Sequence, residues 1–308
     1  MSNKTQGVVL VAFGKASYVF AAYNMAYSIK NFNPNINVAL ITDDINRPQN
    51  ELIGKRKEVF DKVIAFPKEL LLDGVTKKFS PGRLKVNLYS YLPYDENLYL
   101  DVDGICLKDL QPLFDLLSES KKQYAAHTVG YHKIEQGKDI PSMQWAWAND
   151  IWEKYELTKD SVLPAINSSL QYISKGEKSK AIYDKAAELF ENPIDLDKLR
   201  MKWGGSQPDE LYMNIAMALL DYNPHVKGGS QLEGSEKGFI HFTRSFHGNL
   251  DLIADNFYIQ SYYGGAKFTP SNIIEWLDKL LYKWHFKNIE NHIYKIVQIT
   301  KDKHANTR

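Results

Sequence analysis

Cysteine is almost absent from this chain: Cys106 is the single one among 308 residues. One thiol cannot form a disulfide within the chain, which excludes the disulfide-rich classes of protein and fits a reducing compartment. Cys106 stands between the apolar Ile105 and Leu107. We therefore expect a buried structural thiol rather than a nucleophile.

Long hydrophobic runs are also lacking. No stretch approaches the ~18 apolar residues of a membrane span, and residues 1–7 are polar, without the apolar region of a secretory signal. We therefore expect a soluble cytoplasmic protein with no transmembrane segment.

The chain has no excess of either charge: 38 Lys and Arg residues stand against 37 Asp and Glu, a net charge of +1. The total charge thus gives no reason to expect binding to nucleic acid or to an anionic membrane. Internal repeats and low-complexity tracts are missing as well. A hydrophobic content of 44% and a charged content of 24% are those of an ordinary globular protein. At 308 residues the chain is long enough for one large α/β domain or for one domain with an appendage.

What the chain does contain is an alternation of apolar strands and helical segments. Residues 7–14 form a continuous apolar run that ends on glycine, residues 17–31 have a helical pattern, and residues 38–42 form a second apolar run. Further patterns predict helices at 51–60, 83–91 and 178–192, a polar loop at 72–82, and a small-polar turn that enters a strand at 166–174. This order predicts a mostly parallel α/β sheet flanked by helices. The turn after the first strand lacks both G-x-G-x-x-G and a P-loop. A nucleotide would therefore have to be held in another way.

The stretch from Asn97 to Gly104 is the most informative part of the sequence. The apolar run 98–100 predicts a buried strand, and it ends on two carboxylates, Asp101 and Asp103, separated by one residue. Ligands of open α/β sheets bind beyond the carboxyl ends of the strands, and alternation sends both side chains to one side. Two hard oxygen donors suit Mg²⁺ or Mn²⁺ whose shell is completed by water and phosphate oxygens. We infer a metal-diphosphate site.

The spacing alone does not decide this interpretation. A D-x-D triplet occurs about once by chance in a chain of this length, and residues 195–197 repeat the spacing without an apolar strand before them. We interpret that second copy as the solvated start of a helix. For Asp101 and Asp103 the alternative is a strand-end turn whose carboxylates cap the next segment.

Other segments have both a functional and a structural interpretation. Asp209 and Glu210 could face a substrate or simply start a helix, and His241 lies in a short apolar strand where a lone histidine is usually structural. Trp145, Trp147 and Trp152 could line a sugar site or pack a helix. Residues 273–299 place apolar side chains at helical intervals among lysines, which fits packing on the main domain or contact with a membrane or partner.

Taken together and in order, these motifs resemble the GT-A class of nucleotide-sugar glycosyltransferases, in particular its family 8-like members of the glycogenin and bacterial galactosyltransferase type. The resemblance spans roughly residues 7–248 and predicts a GT-A catalytic domain at 1–250 with a C-terminal helical extension at 251–308. The matching segments, in chain order, are Val8 to Gly14, Arg83 or Lys85, Asp101 to Asp103, Asn167 to Ser169, Asp209 with Glu210, and His241 with Phe242.

The resemblance implies a role for each matching position. Mn²⁺, or Mg²⁺, would be bound by Asp101, Asp103 and His241. The residues that would act on the sugar and the reacting centre are Asp209, Glu210, Asn167 and Arg83. Those that would contact the nucleotide-sugar are Ala12, Phe13, Gly14, Tyr18, Lys85, Val102 and Arg244. Lys85 and Arg83 compete for one assignment, the contact with the donor sugar or phosphate.

Two positions depart from the family pattern. The family's late H-x-x-G-x-x-K is replaced here by His241, Arg244 and His247. Arg244 could supply the missing lysine's charge to a phosphate with a bidentate fork. The third small residue of an N-S-G motif is Ser169, a smaller change.

The resemblance implies transfer of a sugar from a nucleotide-sugar donor, expected to be a UDP-sugar, to a hydroxyl acceptor with retention of configuration. The acceptor could be a glycan, a lipid-linked glycan, a protein or a modified nucleic-acid base. Two alternatives remain: a sugar- or nucleotide-binding module without catalysis, and a nucleotidyltransferase.

Overall fold

The computed structural model describes the residues 4–14, 16–52, 54–73, 77–102, 104–106, 109–133, 148–158, 160–199, 207–226 and 240–242. The predicted C-terminal extension at 251–308, with its helical pattern at 273–299, lies outside these residues, as do Trp145 and Trp147. Trp152 is described and packs, partly buried, against the core.

A six-stranded sheet forms the centre of the described fold. The strands β1 to β8, in chain order, are Gln6–Val11, Asn37–Thr42, Lys62–Ala65, Glu96–Leu100, Gly104–Cys106, Tyr124–Lys133, Val162–Ser174 and Ile240–Phe242. The sheet order is β3-β2-β1-β4-β7-β6. Strands β1 to β4 are parallel, whereas β7 runs antiparallel to both β4 and β6. Strands β5 and β8 pair separately, also antiparallel.

Helices cover both faces of this sheet. The α-helices α1 to α7 of the described residues are Ala16–Phe32, Arg47–Glu51, Pro81–Val86, Gln111–Glu119, Ala148–Tyr155, Glu177–Glu191 and Asp209–Leu219. Side chains of α1 and α4 pack on one face, and side chains of α3, α5, α6 and α7 pack on the other. The predicted α/β class, a mostly parallel sheet flanked by helices, is confirmed.

Strand alternation divides the core between the two faces. Val8 and Leu10 point to the α1 face, whereas Val9, Val11 and Tyr99 point to the α3 and α7 face. Successive side chains of a strand leave on opposite sides, so continuous apolar runs are needed where both faces are covered. The predicted buried runs in β1, β2 and β4 have this origin.

Two predicted helices are interrupted. The predicted helix at 51–60 is instead the short α2 followed by a 3₁₀ helix, Gly54–Val59. Pro48 starts α2 one turn earlier than predicted, and Leu52 ends it in an extended conformation. The predicted helix from Arg83 to Tyr91 is likewise split into α3 and a 3₁₀ helix, Leu88–Tyr91.

Strand β7 is longer than predicted, because residues 162–165 precede the expected turn and pair with β6. The second D-x-D copy at 195–197 lies in an exposed segment and a turn rather than a helix. Cys106 is buried, as predicted, and its Sγ accepts a hydrogen bond from Asn33 Nδ2 at 3.9 Å. No helix of the described residues is both long and apolar enough to span a bilayer.

Candidate functional site

The site is built around Asp101, which follows directly on β4. Tyr99 faces the α3 and α7 side of the sheet, and Asp101, two residues further on, is sent to the same side by alternation. The Tyr99 hydroxyl donates to Asp101 Oδ1, while the Asp101 amide donates to the Ser169 carbonyl at 2.8 Å. Burial, and then the nearby carboxylate, raise the pKa of Tyr99 well above its usual value. The hydroxyl therefore stays protonated and keeps Asp101 in place.

Lys85 connects Asp101 to a second carboxylate. Its Nζ lies 3.0 Å from Asp101 Oδ1 and 4.0 Å from Asp209 Oδ2, above the ring of Tyr99. Burial alone would lower the pKa of Lys85, but the charges of Asp101 and Asp209 outweigh it and raise that pKa well above the usual value. A permanent positive charge therefore lies between two acids from distant parts of the chain.

Arg83, the rival of Lys85, lies in different surroundings. Its Nε pairs with Glu191 of α6 at 2.6 Å, and its Nη1 donates to the carbonyls of Glu69 and Leu72 at 3.0 and 3.1 Å. Residues two apart on a helix point about 200° from one another. The structure thus brings Lys85 to Asp101 and joins Arg83 to α6.

Asp209 and Glu210 are the first two residues of α7, but their carboxylates do more than cap that helix: they contact residues of other elements. Asp209 Oδ2 is buried and has no hydrogen-bond partner in the described part of the chain, and its closest described cation is Lys85. Glu210 Oε1 accepts the Ser168 amide of β7 at 2.9 Å. Burial first, and then the charge of Asp209, raise the pKa of Glu210. The two acids therefore face the end of β4 and β7 rather than only their own helix.

Asn167 and Ser169 lie where β7 departs from regular pairing. In the pairing with β6 the register jumps from Ala126 opposite Gln171 to His127 opposite Asn167, so residues 168–170 are bulged out of that ladder. Asn167 is exposed, and its Oδ1 accepts the Ser169 amide at 2.9 Å. The predicted small-polar turn is therefore a strand bulge beside Asp101.

The end of β1 carries an aromatic cluster. The ring of Phe13 lies 6.4 Å from Tyr18, 5.9 Å from Phe66 and 6.1 Å from Phe79. Tyr18 is 48% and Phe79 56% exposed, whereas Ala12 is buried. Exposed aromatic rings beside a buried strand end suit the stacking of a flat, partly polar ligand.

Gly14 follows this cluster in a left-handed conformation, with φ +72°. Its amide donates to Asp43 Oδ2 at 3.3 Å and its carbonyl accepts from Arg47 at 2.5 Å. Arg47 in turn pairs with Asp43 at 2.8 Å. An ion pair at the end of β2 therefore fixes the turn after β1.

The other predicted metal ligands are only partly described. Asp103 and Arg244 lie outside the described residues, and only the backbone of His241 is described. That backbone lies in β8 opposite Ile105, two residues along the chain from Asp103. Within the described ranges no three side chains of metal-ligand type gather. Val102 is partly buried against the core.

Asp101 itself is compatible with a hard divalent cation. It is 25% exposed, and both of its side-chain contacts use Oδ1. Among the described residues none donates to Oδ2, so one carboxylate oxygen remains for coordination at the strand end. Aspartate oxygens are ordinary ligands of Mg²⁺ and Mn²⁺.

Three residues at this site were missed by the sequence analysis. Tyr99 could have been found by strand alternation, since it precedes Asp101 by two positions. Phe79 lies in a segment predicted to be a polar loop, and its approach to Phe13 depends on the isolated bridge between Leu72 and Phe79. Gln171 had no local signal, because its partners come from other elements.

No protein-family model matches the sequence, and no curated protein is significantly similar to it. Among solved structures, the galactosyltransferase LgtC with donor and acceptor sugar analogs is 16% identical, with a TM-score of 0.41 over 69% of this chain and 70% of that one. Mouse xyloside xylosyltransferase 1 is 13% identical, with a TM-score of 0.46 over 80% and 98%. The glycosyltransferase GlyE of Streptococcus pneumoniae TIGR4 is 16% identical, with a TM-score of 0.44 over 92% and 64%.

Proposed function

We propose that this protein is a metal-dependent glycosyltransferase that moves a sugar from a nucleotide-sugar donor, a UDP-sugar in the first instance, to a hydroxyl acceptor. The observation that carries the proposal is that a charged cluster and an aromatic cluster lie at the same edge of the sheet. Asp101, Lys85 and Asp209 meet at the end of β4, and the aromatic cluster of Phe13 lies at the end of β1, the next strand. A nucleotide base and its diphosphate need these two environments side by side.

Asp101, Asp103 and His241 are the residues that would hold Mn²⁺ or Mg²⁺. When bound, such an ion would neutralise the charge that builds up on the departing nucleoside diphosphate. The pairing of β8 with β5, which brings the backbone of His241 opposite Ile105, supports this ligand set.

The other residues of the site supply charges of both signs. Breaking the anomeric C–O bond gives the sugar oxocarbenium character and leaves negative charge on the diphosphate. Lys85 is placed to stabilise the negative charge, and the carboxylate of Asp209 to stabilise the positive charge on the sugar. Asn167 is exposed beside them and can donate to a sugar hydroxyl.

Retention is the proposed stereochemical course, as the family 8-like resemblance implies. In a retaining transfer the departing phosphate can accept the proton of the acceptor hydroxyl, whereas an inverting enzyme needs a carboxylate base, for which Asp209 or Glu210 is available. Determining the anomer of the newly formed product by NMR separates the two.

A donor-hydrolysis assay with a matched pair of variants tests the proposal. The protein is incubated with Mn²⁺ and, separately, UDP-glucose, UDP-galactose and GDP-mannose, and the released nucleotide is measured. Asp101→Asn should reduce release by about 10²-fold or more, because it removes a charge from the metal site. Asp195→Asn, which changes the exposed D-x-D copy at 195–197, should leave release unchanged.

Three outcomes would contradict the proposal. Equal release by Asp101→Asn and wild type would exclude the metal assignment. Release of pyrophosphate from UTP and a sugar 1-phosphate, with no nucleoside diphosphate released from any nucleotide-sugar, would indicate a nucleotidyltransferase. Donor binding in calorimetry without Mn²⁺ dependence and without release would indicate a binding module. Once a donor is known, acceptors can be identified by mass spectrometry of glycosylated products.

A further inference from the structure

A buried polar network lies directly beneath the bulge of β7. Gln171 is 3% exposed, and its Oε1 accepts hydrogen bonds from the hydroxyls of Tyr124 and Tyr183 at 3.0 and 2.9 Å. Its Nε2 donates to the Ser168 carbonyl at 3.0 Å. A carbonyl can only accept, so the amide has one orientation that satisfies all three partners. Both side-chain polar atoms of Gln171 therefore have partners, and the connected bonds favour a single arrangement of the network.

The bulge that this network supports connects the two acidic elements of the site. The Ser168 amide donates to Glu210 Oε1 at the start of α7, and the Ser169 carbonyl accepts the amide of Asp101 at the end of β4. Bulges beside active sites commonly redirect side chains that a regular strand could not place. The relative position of β4 and α7 at the site thus depends on the conformation of residues 168–170.

We propose that Gln171, held by Tyr124 and Tyr183, is a positioning residue for sugar transfer: it fixes the β7 bulge and thereby the separation between Asp101 and the acids of α7. This inference depends on the proposed function. Gln171 lies under the strand and acts only through Ser168. Its loss should therefore lower kcat while leaving nucleotide affinity, which depends on the β1 end, almost unchanged.

The test compares Gln171→Met with Asn97→Leu. Asn97 is a second buried amide, and it joins β4 to β7: its Nδ2 donates to the carbonyls of Tyr94 and Ile173 at 2.8 and 3.1 Å, and its Oδ1 accepts the Tyr94 amide. It lies at the opposite end of β4, near Glu96. Both variants lose three buried hydrogen bonds, so both should lose thermal stability.

Only Gln171→Met should also lose turnover in the Mn²⁺-dependent donor assay. We expect kcat to fall about 10²-fold, the scale of a misplacement near 1 Å, with the donor KM and the dissociation constant of UDP within about twofold of wild type. Gln171→Glu keeps an oxygen for both tyrosines, and its neutral form donates to the Ser168 carbonyl. It should therefore restore part of the lost kcat, which a merely structural role would not predict.

A second variant covers the case in which Gln171→Met does not fold. Tyr183→Phe removes one of the two hydroxyls and leaves the bond from Gln171 to Ser168, so a folded protein with a severalfold lower kcat is expected. If kcat per folded molecule matches that of Asn97→Leu in all Gln171 and Tyr183 variants, the positioning role is wrong and the transferase proposal stands. If wild type releases no nucleotide from any donor, both fail.

Discussion

At the scale of single residues, the site depends on which of two neighbouring cations faces it. Lys85 lies between Asp101 and Asp209, whereas Arg83 is bound to Glu191 and to two backbone carbonyls. The sequence left this choice open, since both residues fit the spacing before Asp101. The choice is made by the phase of α3, which depends on where Pro81 starts the helix.

Turnover measurements can decide whether Lys85 or Arg83 acts on the donor. Lys85→Met should lower kcat about 10²-fold, because it removes the positive charge that we propose stabilises the leaving diphosphate. Arg83→Met loses a partly exposed ion pair and two hydrogen bonds to backbone carbonyls, so it should lower stability by about 1–3 kcal/mol, but it should change kcat much less. Steady-state kinetics of both variants with the best donor provides the measurement. A larger loss of kcat in Arg83→Met would reverse the assignment.

Ionisation of Glu210 lowers the stability of the folded protein, and this loss depends on pH. Burial and the charge of Asp209 raise the pKa of Glu210 above its usual 4.5. A raised folded-state pKa means that stability is fully present below the unfolded value and is lost as pH rises through the folded value. Glu210→Gln avoids this loss and keeps an oxygen for the Ser168 amide. It should raise Tm by about 1–3 °C at pH 7.

The gain from Glu210→Gln should shrink to zero as the pH is lowered below 4.5, where the wild-type carboxyl is protonated in both states. Thermal denaturation from pH 4 to pH 8 measures this difference. A gain that stays constant across that range would mean that ionisation of Glu210 is not its cause.

At the scale of elements, α3 and α7 approach so closely that one position requires glycine. A Cβ on Gly82 would lie 2.6 Å from the carbonyl oxygen of Gln207 and 3.2 Å from the amide of Asp209. These are backbone atoms, so no side-chain rotation can relieve the contact. The same close approach brings Lys85 of α3 toward Asp209 of α7.

Gly82→Ala should therefore push α3 away from α7. The overpacking cost of about 1–3 kcal/mol exceeds the gain of about 1 kcal/mol expected for alanine in a helix, so Tm should fall. Because Lys85 moves away from Asp209, kcat should fall as well. Gly7→Ala is the matched control: its Cβ would clash with the Tyr94 ring, at the far end of β1, and it should lower Tm without lowering kcat. Equal kcat in both variants would contradict this coupling.

Some strands and helices could be predicted from the sequence, and others could not. Apolar runs and helical periodicity predict β1, β2, β4, α1 and α6 within a few residues, because their burial follows from local pattern. The bulge of β7 was not predictable as such. Its geometry depends on two hydrogen bonds of Ser168: the carbonyl accepts from Gln171, three positions away, and the amide donates to Glu210, forty-two positions away. The contact with Glu210 is tertiary, and neither bond produces a local sequence period.

At the scale of the whole molecule, the site gathers residues far apart in sequence because parallel strands end at one edge. Phe13 follows β1, Asp43 follows β2 and Asp101 follows β4, and these strands are neighbours in the sheet. The α/β alternation predicted that Asp101 lies at this edge and the family resemblance added Phe13, whereas Asp43 and the pairing of Lys85 with Asp209 came only with the structure. A ligand that joins a base to a diphosphate would bridge the β1 and β4 ends.

Ligand binding across these two strand ends should stabilise the whole fold in a metal-dependent way. A ligand at 100 times its dissociation constant adds about 2.7 kcal/mol to the free energy of unfolding, which corresponds to a rise in Tm of several degrees. We expect UDP with Mn²⁺ to produce this rise, and UDP with a chelator to produce much less, because the diphosphate would face Asp101 without a neutralising ion.

Asp103→Asn should abolish the Mn²⁺-dependent part of the rise in Tm, whereas Asp197→Asn, which changes the second residue of the exposed D-x-D copy, should retain it. Since this measurement needs neither an acceptor nor turnover, an equal rise with and without Mn²⁺ would refute the metal site directly, even if a sugar were transferred.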